Sequence, residues 1–253
     1  MYNVRIFHYE GGTQYRLYKR PVFKSEIEDD FLKECGEIDT MLFDDFNEPD
    51  TERSNYVSLN RTKQNLIGLC RSNSWHWFVT FTFNSAYVCR SNYEEVCKKT
   101  CKWLNNLKNR KAPDLKYVLV PELHKDGENY HCHGLLANCQ GLEFVNSGKK
   151  TKDGDIIYNM PSWQYGFNTA TMVFDTVRVS YYISKYLNKD LHNIIKGKRR
   201  FWNSRNCLSM TNVSEEYFVE DIKEFYQNIT SDCKFIKKID LPDIEQAITY
   251  IEV

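Results

Sequence analysis

The stretch from 115 to 137 constrains the fold more than any other. LKYVLVPEL (115–123) and YHCHGLLA (130–137) are β-rich runs on either side of HKDGEN, whose Asp126-Gly127 is a natural turn element, so the two form an antiparallel hairpin. Side chains alternate across a strand, which sends His131 and His133 to one face and Cys132 to the other. On the neighbouring strand Glu122 can come alongside them. Two imidazoles and a carboxylate make a three-ligand site with open positions. There a divalent ion can bind a phosphate oxygen, drain charge from the phosphorus and orient it for attack. The oxygen ligand and substrate phosphates favour Mg²⁺ or Mn²⁺, although isolated imidazoles bind zinc, nickel or copper at least as tightly. A His-x-His pair by itself is more often two half-buried or solvated histidines, and the strand context is what raises its weight. His124 reads as a turn residue, and His8, His76 and His192 as structural.

The hairpin sits in an ordered series of elements. WHWFVTFTF (75–83) is rich in β-branched and aromatic residues, a buried-strand signal. In NYEEVCKKTCKWLNNLKNR, Tyr93, Val96, Cys97, Thr100, Trp103, Leu104 and Leu107 recur at helical spacing. GFNTATMVFD (166–175) supplies a further strand, and Asp175-Thr176 can cap a helix, VRVSYYISKYLNKDL, running to about Leu191. The central order is β-α-β-β-β-α. This predicts an α+β fold with an antiparallel sheet and helices on one face. Residues 146–160 are polar and read as an exposed loop. NVRIFHYE and TQYRLYKRPV form an N-terminal hairpin around Gly11-Gly12, Glu26 to Glu52 is acidic with sparse apolar residues, and 58–71 is helical. A chain of 253 residues can bury one substantial core with small appendages. The expected division is an N-terminal hairpin and acidic extension (1–57), a principal domain (58–210) and a C-terminal helical extension (211–253).

Within YYISKYLNK (181–189), Tyr182 and Tyr186 are four apart, which puts both phenols on one helical face, and Lys185 and Lys189 each follow a tyrosine by three. A phenol with a pKa of about 10 is a poor nucleophile at neutral pH. It improves beside a cation, or when a metal makes the target phosphorus more electrophilic. Attack on a phosphodiester makes a covalent phosphotyrosine and frees the neighbouring strand end as a hydroxyl. One phosphoester bond is kept for each one broken, so the step is nearly isoenergetic, needs no ATP and can be reversed. For a helix taken alone, a tyrosine stripe is core packing, and Tyr181 is read that way. The lysine spacing and the separate His/Glu hairpin set the other two apart.

Net charge is zero, yet its distribution is uneven. Residues 61–213 hold 23 Lys and Arg against 11 Asp and Glu, while residues 1–60 hold 7 against 13 and residues 214–253 hold 4 against 10. The basic centre can attract polyanions. In GKRRFWNSR (197–205), Lys198, Arg199, Arg200 and Arg205 interleave with Phe201 and Trp202, a mixture that tracks a phosphate backbone and stacks unpaired bases, or equally a loop whose aromatics pack into the core. The nine cysteines are odd in number and lack a CxxC pair, which favours buried thiols over a disulfide framework or zinc knuckle. Cys89, Cys97 and Cys101 make at most a weak metal site. No stretch is apolar enough to cross a bilayer, and MYNVRIFHYE lacks the zones of a signal peptide, so a cytoplasmic protein is expected.

FVTFTFN (78–84), VPELHKDGENYHCHGLL (120–136), YISKYLNK (182–189) and GKRRFWNSR (197–205) resemble, in order, the motifs of HUH endonucleases. Within that superfamily they are most similar to rolling-circle replication initiators of single-stranded DNA phages and bacterial plasmids, over roughly residues 54–210. The resemblance implies an RRM-like (ferredoxin-like) five-stranded antiparallel sheet with the metal hairpin at its centre. It also implies His131, His133 and Glu122 as metal ligands, with Cys132 in the slot between the histidines. Tyr182 and Tyr186 correspond to the nucleophiles of the two-tyrosine type, with Lys185 as helper, leaving a 5'-phosphotyrosine and a free 3'-OH. Lys189, Lys198, Arg199, Arg200, Trp202 and Arg205 are the expected DNA contacts. The implied partner is single-stranded origin DNA, as a free strand or a hairpin, in a bacterial host. A host helicase and DNA polymerase would complete the reaction, because no GxxxxGK[ST] loop follows residue 210. Two other readings are a non-catalytic RRM-like module that binds single strands, and a transposase or relaxase of the same superfamily.

Overall fold

The computed structural model describes residues 1–23, 51–124, 127–187, 199–241 and 245–253. In chain order its strands and helices begin with β1 (Tyr2–Tyr9), β2 (Gly12–Val22), α1 (Thr51–Arg71), β3 (Trp77–Thr82), α2 (Tyr93–Arg110), β4 (Lys116–Leu123) and β5 (Tyr130–Ala137). There follow β6 (Val145–Lys150), β7 (Ile156–Asn159), β8 (Asn168–Met172), α3 (Thr176–Ser184), β9 (Trp202–Asn203), β10 (Ser214–Tyr217), α4 (Ile222–Thr230), β11 (Phe235–Leu241) and β12 (Gln246–Glu252). They divide into two compact units, residues 55–212 and residues 1–54 with 213–253. The fold is α+β, and no described helix is long and apolar enough to cross a membrane. Most of the acidic stretch, residues 24–50, lies outside the described residues.

In the larger unit the expected strands β3, β4, β5 and β8 form the middle of an antiparallel sheet of order β6-β7-β8-β3-β5-β4-β9. It has seven strands rather than the five that the resemblance implies. The extra strands come from stretches with no apolar alternation to announce them. β6 and β7 occupy the segment read as a loop. The side chains of β6 are mostly exposed and those of β7 mostly half-buried, and the two strands pair across a turn in which Thr151 N–H bonds to Asp155 O at 2.8 Å. At the opposite edge, the two residues of β9 pair with β4 through Leu119↔Trp202.

One face of this sheet is the main core. Val79 and Phe81 of β3 and Cys132 of β5 are fully buried there, with Phe81 4.9 Å from Trp103 of α2 and 4.5 Å from Trp163. α2 presents Val96, Thr100, Trp103, Leu104 and Leu107 to it, and its first turn is capped by Asn92, whose side chain accepts from the N–H groups of Glu94 and Glu95. The expectation of helices on one face fails at α3. Its tyrosines meet Phe78, which alternates to the other side of β3, so α3 covers the opposite face. Asp175 caps α3 as the sequence predicts, accepting from Arg178 N–H.

The smaller unit replaces the expected C-terminal helical extension. Residues 214–252 hold one helix and three strands, and these join the N-terminal hairpin in a sheet of order β10-β1-β2-β12-β11. β12 pairs with β2 and β11 on its two sides, and such pairing is decided by the rest of the sheet rather than by the local sequence. Its core is small: Val4, Leu17 and Ile251, against which Ile222, Phe225 and Ile229 of α4 pack.

Within the β4–β5 hairpin the strands lie close at Gly134. A Cβ there would lie 2.4 Å from Val118 O and 2.1 Å from Leu119 Cδ2. Gly134→Ala must push β4 away from β5, and the expected cost is about 1–3 kcal/mol. Urea denaturation measures it; a wild-type midpoint in the variant would show that the two strands can part freely.

Candidate active site

The pairing of β4 and β5 brings Glu122, His131 and His133 together. Glu122 lies directly across from His131 in the ladder, and His133 follows on the same face. β3 adds Thr80 opposite His133 and Thr82 opposite His131. Residues directly opposite share a face, so Glu122, His131, His133, Thr80 and Thr82 all project from the side away from Cys132. Cys132 points into the main core, where burial pushes its thiol well above the ordinary range.

His133 is the most tightly held of these groups. Its Nε2 is 2.9 Å from Glu122 Oε2 and its Nδ1 is 3.0 Å from Thr80 Oγ1. The Tyr186 ring stacks on it at 3.8 Å between centroids with the planes 5° apart. His131 is half-buried, its ring centroid 6.4 Å from that of His133 and 4.8 Å from that of His124. His124 is therefore beside the cluster as well as next to the turn. The turn residue Asp126 lies outside the described residues.

The tyrosines reach this face from the end of α3. The helix stops at Ser184, earlier than the sequence suggests. Lys185, Tyr186 and Leu187 continue in tight turns whose N–H groups bond to Tyr182 O, Ile183 O and Ser184 O. Tightening keeps the two phenols together: Tyr186 donates its hydroxyl hydrogen to Tyr182 Oη at 2.9 Å, with the rings 5.5 Å apart and edge-on. Phe78 fills the space beneath, 5.4 Å from Tyr182 and 6.4 Å from Tyr186. Lys185 Nζ stands 5.7 Å over the Tyr182 ring, the cation beside the phenol that the spacing calls for. Tyr182 is 44% exposed.

Among the described residues, no three His, Cys, Asp or Glu side chains are grouped so as to hold a metal ion. At this site Glu122 Oε2 and His133 Nε2 share a hydrogen bond. The donor chemistry nevertheless fits a metal ion: an imidazole nitrogen and a carboxylate oxygen already face each other, with a second imidazole on the same strand face. Cys89, Cys97 and Cys101 form no such group either.

The expected DNA contacts that are described differ in their surroundings. Lys189 and Lys198 lie outside the described residues, while Arg199 and Arg205 are exposed. Arg200 is spent within the fold, donating to Thr62 Oγ1 at 2.9 Å and Ser58 Oγ at 3.1 Å on α1, and burial lowers its pKa. Of the two readings of GKRRFWNSR, Trp202 follows core packing rather than the expected DNA contact. At 7% exposure it belongs to the core, paired through β9 with β4 and 6.1 Å from Tyr93, and it cannot stack on a base. Thr80 and Phe78 are the site residues that sequence reasoning missed. The alternation of FVTFTF puts both on one face, but which strand faces them is a tertiary fact.

Burial first, then the bond to Tyr182 and the nearby Glu122 carboxylate, raise the Tyr186 pKa well above its ordinary 10.0. The folded state thus favours the neutral phenol. Its contribution to stability is full below about pH 10 and declines above it, where the unfolded chain ionises first. In thermal unfolding from about pH 10 upward, the wild-type protein should lose stability more steeply than Tyr186→Phe; parallel curves would contradict the assignment.

Neither the curated proteins nor the solved structures compared with this chain give a match. Residues 76–191, the stretch from β3 through α3 that carries Thr80, Glu122, His131, His133, Tyr182 and Tyr186, match a family model described as replication-associated protein.

Proposed function

We propose that this protein is a rolling-circle replication initiator that cuts single-stranded origin DNA by attack of Tyr182 on a phosphodiester. The observation that carries this reading is the continuous contact from Tyr182 through Tyr186 to His133 and Glu122. It lets one phosphate meet the nucleophile and the His/Glu cluster together. The match of residues 76–191 to a replication-associated family supports a role in DNA replication.

In the proposed step the Tyr182 oxygen forms a bond to phosphorus and the bond from phosphorus to the 3'-oxygen breaks. The phenol gives up its proton, and the departing 3'-oxygen takes one up to become a hydroxyl that a DNA polymerase can extend. A divalent ion, Mg²⁺ or Mn²⁺, bound by Glu122, His131 and His133 would withdraw charge from the phosphate oxygens. Lys185 holds a positive charge against the phenol ring, where it favours the developing phenolate. The Tyr186 hydroxyl, donating to Tyr182 Oη, stabilises that oxygen as it becomes negative. Once Tyr182 carries the DNA, Tyr186 would leave its stack on His133 to make a second cut, and the reverse reaction would rejoin the strands. Unwinding would fall to a helicase, in the cytoplasm of a bacterial host.

Incubation with labelled single-stranded origin DNA and denaturing electrophoresis tests this reading. A covalent protein–DNA adduct is expected, lost in Tyr182→Phe and in excess EDTA, and restored by Mn²⁺ or Mg²⁺. An undiminished adduct in Tyr182→Phe would end the assignment of the nucleophile, and full activity in EDTA would end that of the ion.

A further inference from the structure

The end of β3 beside His131 opens into a cleft of about 420 Å³ lined by Thr82, Asn84, Tyr87, Arg90 and Phe167, among others. Thr82 is the cross-strand neighbour of His131, so the cleft begins about 5 Å from the candidate metal ligand. Its two aromatic side chains are unusually open: Tyr87 is 59% and Phe167 60% exposed. Both are held on fixed backbone. Phe167 O accepts from Thr82 N–H at 2.9 Å and from Thr82 Oγ1 at 2.9 Å, while Tyr87 N–H bonds to Asn84 O at 2.9 Å. Gly166 lets the two chains lie this close, since a Cβ there would meet Thr82 O at 2.4 Å. Arg90 is exposed at the same cleft, and among the described residues it has no carboxylate partner. Its carbonyl ties the loop to the metal hairpin, accepting from Tyr130 N–H at 2.9 Å.

Exposed aromatic faces on a rigid frame beside an uncommitted guanidinium are the chemistry that holds an unpaired nucleobase and its phosphate. The surface beyond Tyr182 has the opposite character. A cleft of about 490 Å³ there carries Asp153, Asp155 and Asp175 against Arg178 alone, and three carboxylates repel a phosphate backbone. We infer that the cleft at Tyr87, Arg90 and Phe167 seats an unpaired base of the DNA strand next to the phosphate at the His/Glu cluster. Tyr87 and Phe167 stack on the base, and Arg90 takes its phosphate. This rests on the reading of the site as one that acts on single-stranded DNA, and it transfers the stacking role from the buried Trp202 to two residues that solvent can reach.

The test uses the full chain and a 5-iodouracil-substituted oligothymidylate of about 16 nucleotides, long enough to fill a single-strand site. Light-induced crosslinks are mapped by peptide mass spectrometry, and affinity is measured by fluorescence anisotropy over a range of salt. Crosslinks are expected at Tyr87 or Phe167. Tyr87→Ala and Phe167→Ala should each weaken binding about tenfold, while Phe167→Trp retains it. Arg90→Ala should lower the slope of log affinity against log salt by about 0.7. These side chains are exposed, so unfolding curves should match wild type. Crosslinks that map elsewhere, affinities within about twofold of wild type, or no binding of the oligonucleotide would each overturn the inference. The two readings can fail separately. Loss of crosslink and affinity in the alanine variants, with no Tyr182 adduct in the wild type, would retain the cleft and remove the nicking chemistry. An adduct accompanied by crosslinks outside the cleft would do the reverse.

Discussion

The grip on the His133 ring is the interaction on which the candidate site depends. Glu122 meets one ring nitrogen, Thr80 meets the other, and Tyr186 lies flat against the face. With Nε2–H donating to the carboxylate, Nδ1 accepts the threonine hydroxyl, and both nitrogens are satisfied. Three neighbouring segments are thereby joined through one side chain: β3 by Thr80, β4 by Glu122, and the turn after α3 by Tyr186. The contacts are worth about 1 kcal/mol each. Their combined effect is geometric, because an imidazole bonded at both nitrogens and stacked on its face has little freedom left to rotate.

What the sequence made legible follows from the range of the forces involved. The hairpin of β4 and β5 was readable because two β-rich runs flank a short polar link in the sequence, and their pairing puts Glu122 across from His131. α2 was readable from its buried stripe, and the start of α3 from Asp175. The end of α3 was not. Helical spacing ran on through Tyr186, yet the chain tightens after Ser184, and both arrangements keep the phenols adjacent. Thr80 escaped notice because its neighbour His133 is set by the pairing of β3 with β5, across more than fifty residues of intervening chain.

The misread elements share a cause of another kind. β6 and β9 are the edge strands of their sheet and β7 lies next to β6; all three are short or polar, and neighbouring backbone supplies much of their order. The sequence of residues 211–253 suggests a helical extension, but β10 pairs with β1 and β12 with β2, partners that lie in the N-terminal hairpin. GKRRFWNSR shows the same limit in charge and aromatic content. Composition could not distinguish an arginine that faces solvent from Arg200, which bonds to α1, nor a stacking tryptophan from Trp202 in the core.

The two phenols are chemically alike and structurally unequal. Tyr186 is held through its ring by His133, through its hydroxyl by Tyr182, and by burial that disfavours its ionisation. To attack a phosphate it would have to leave the stack and free the His133 face. Tyr182 has more freedom, being 44% exposed with Lys185 over its ring, and its oxygen receives a hydrogen bond rather than spending its own proton. On the proposed reading, Tyr182 is therefore the phenol that an incoming phosphate would meet first. Ionising Tyr186 first would place a negative charge close to the Glu122 carboxylate, an unfavourable pairing in the absence of a bound cation.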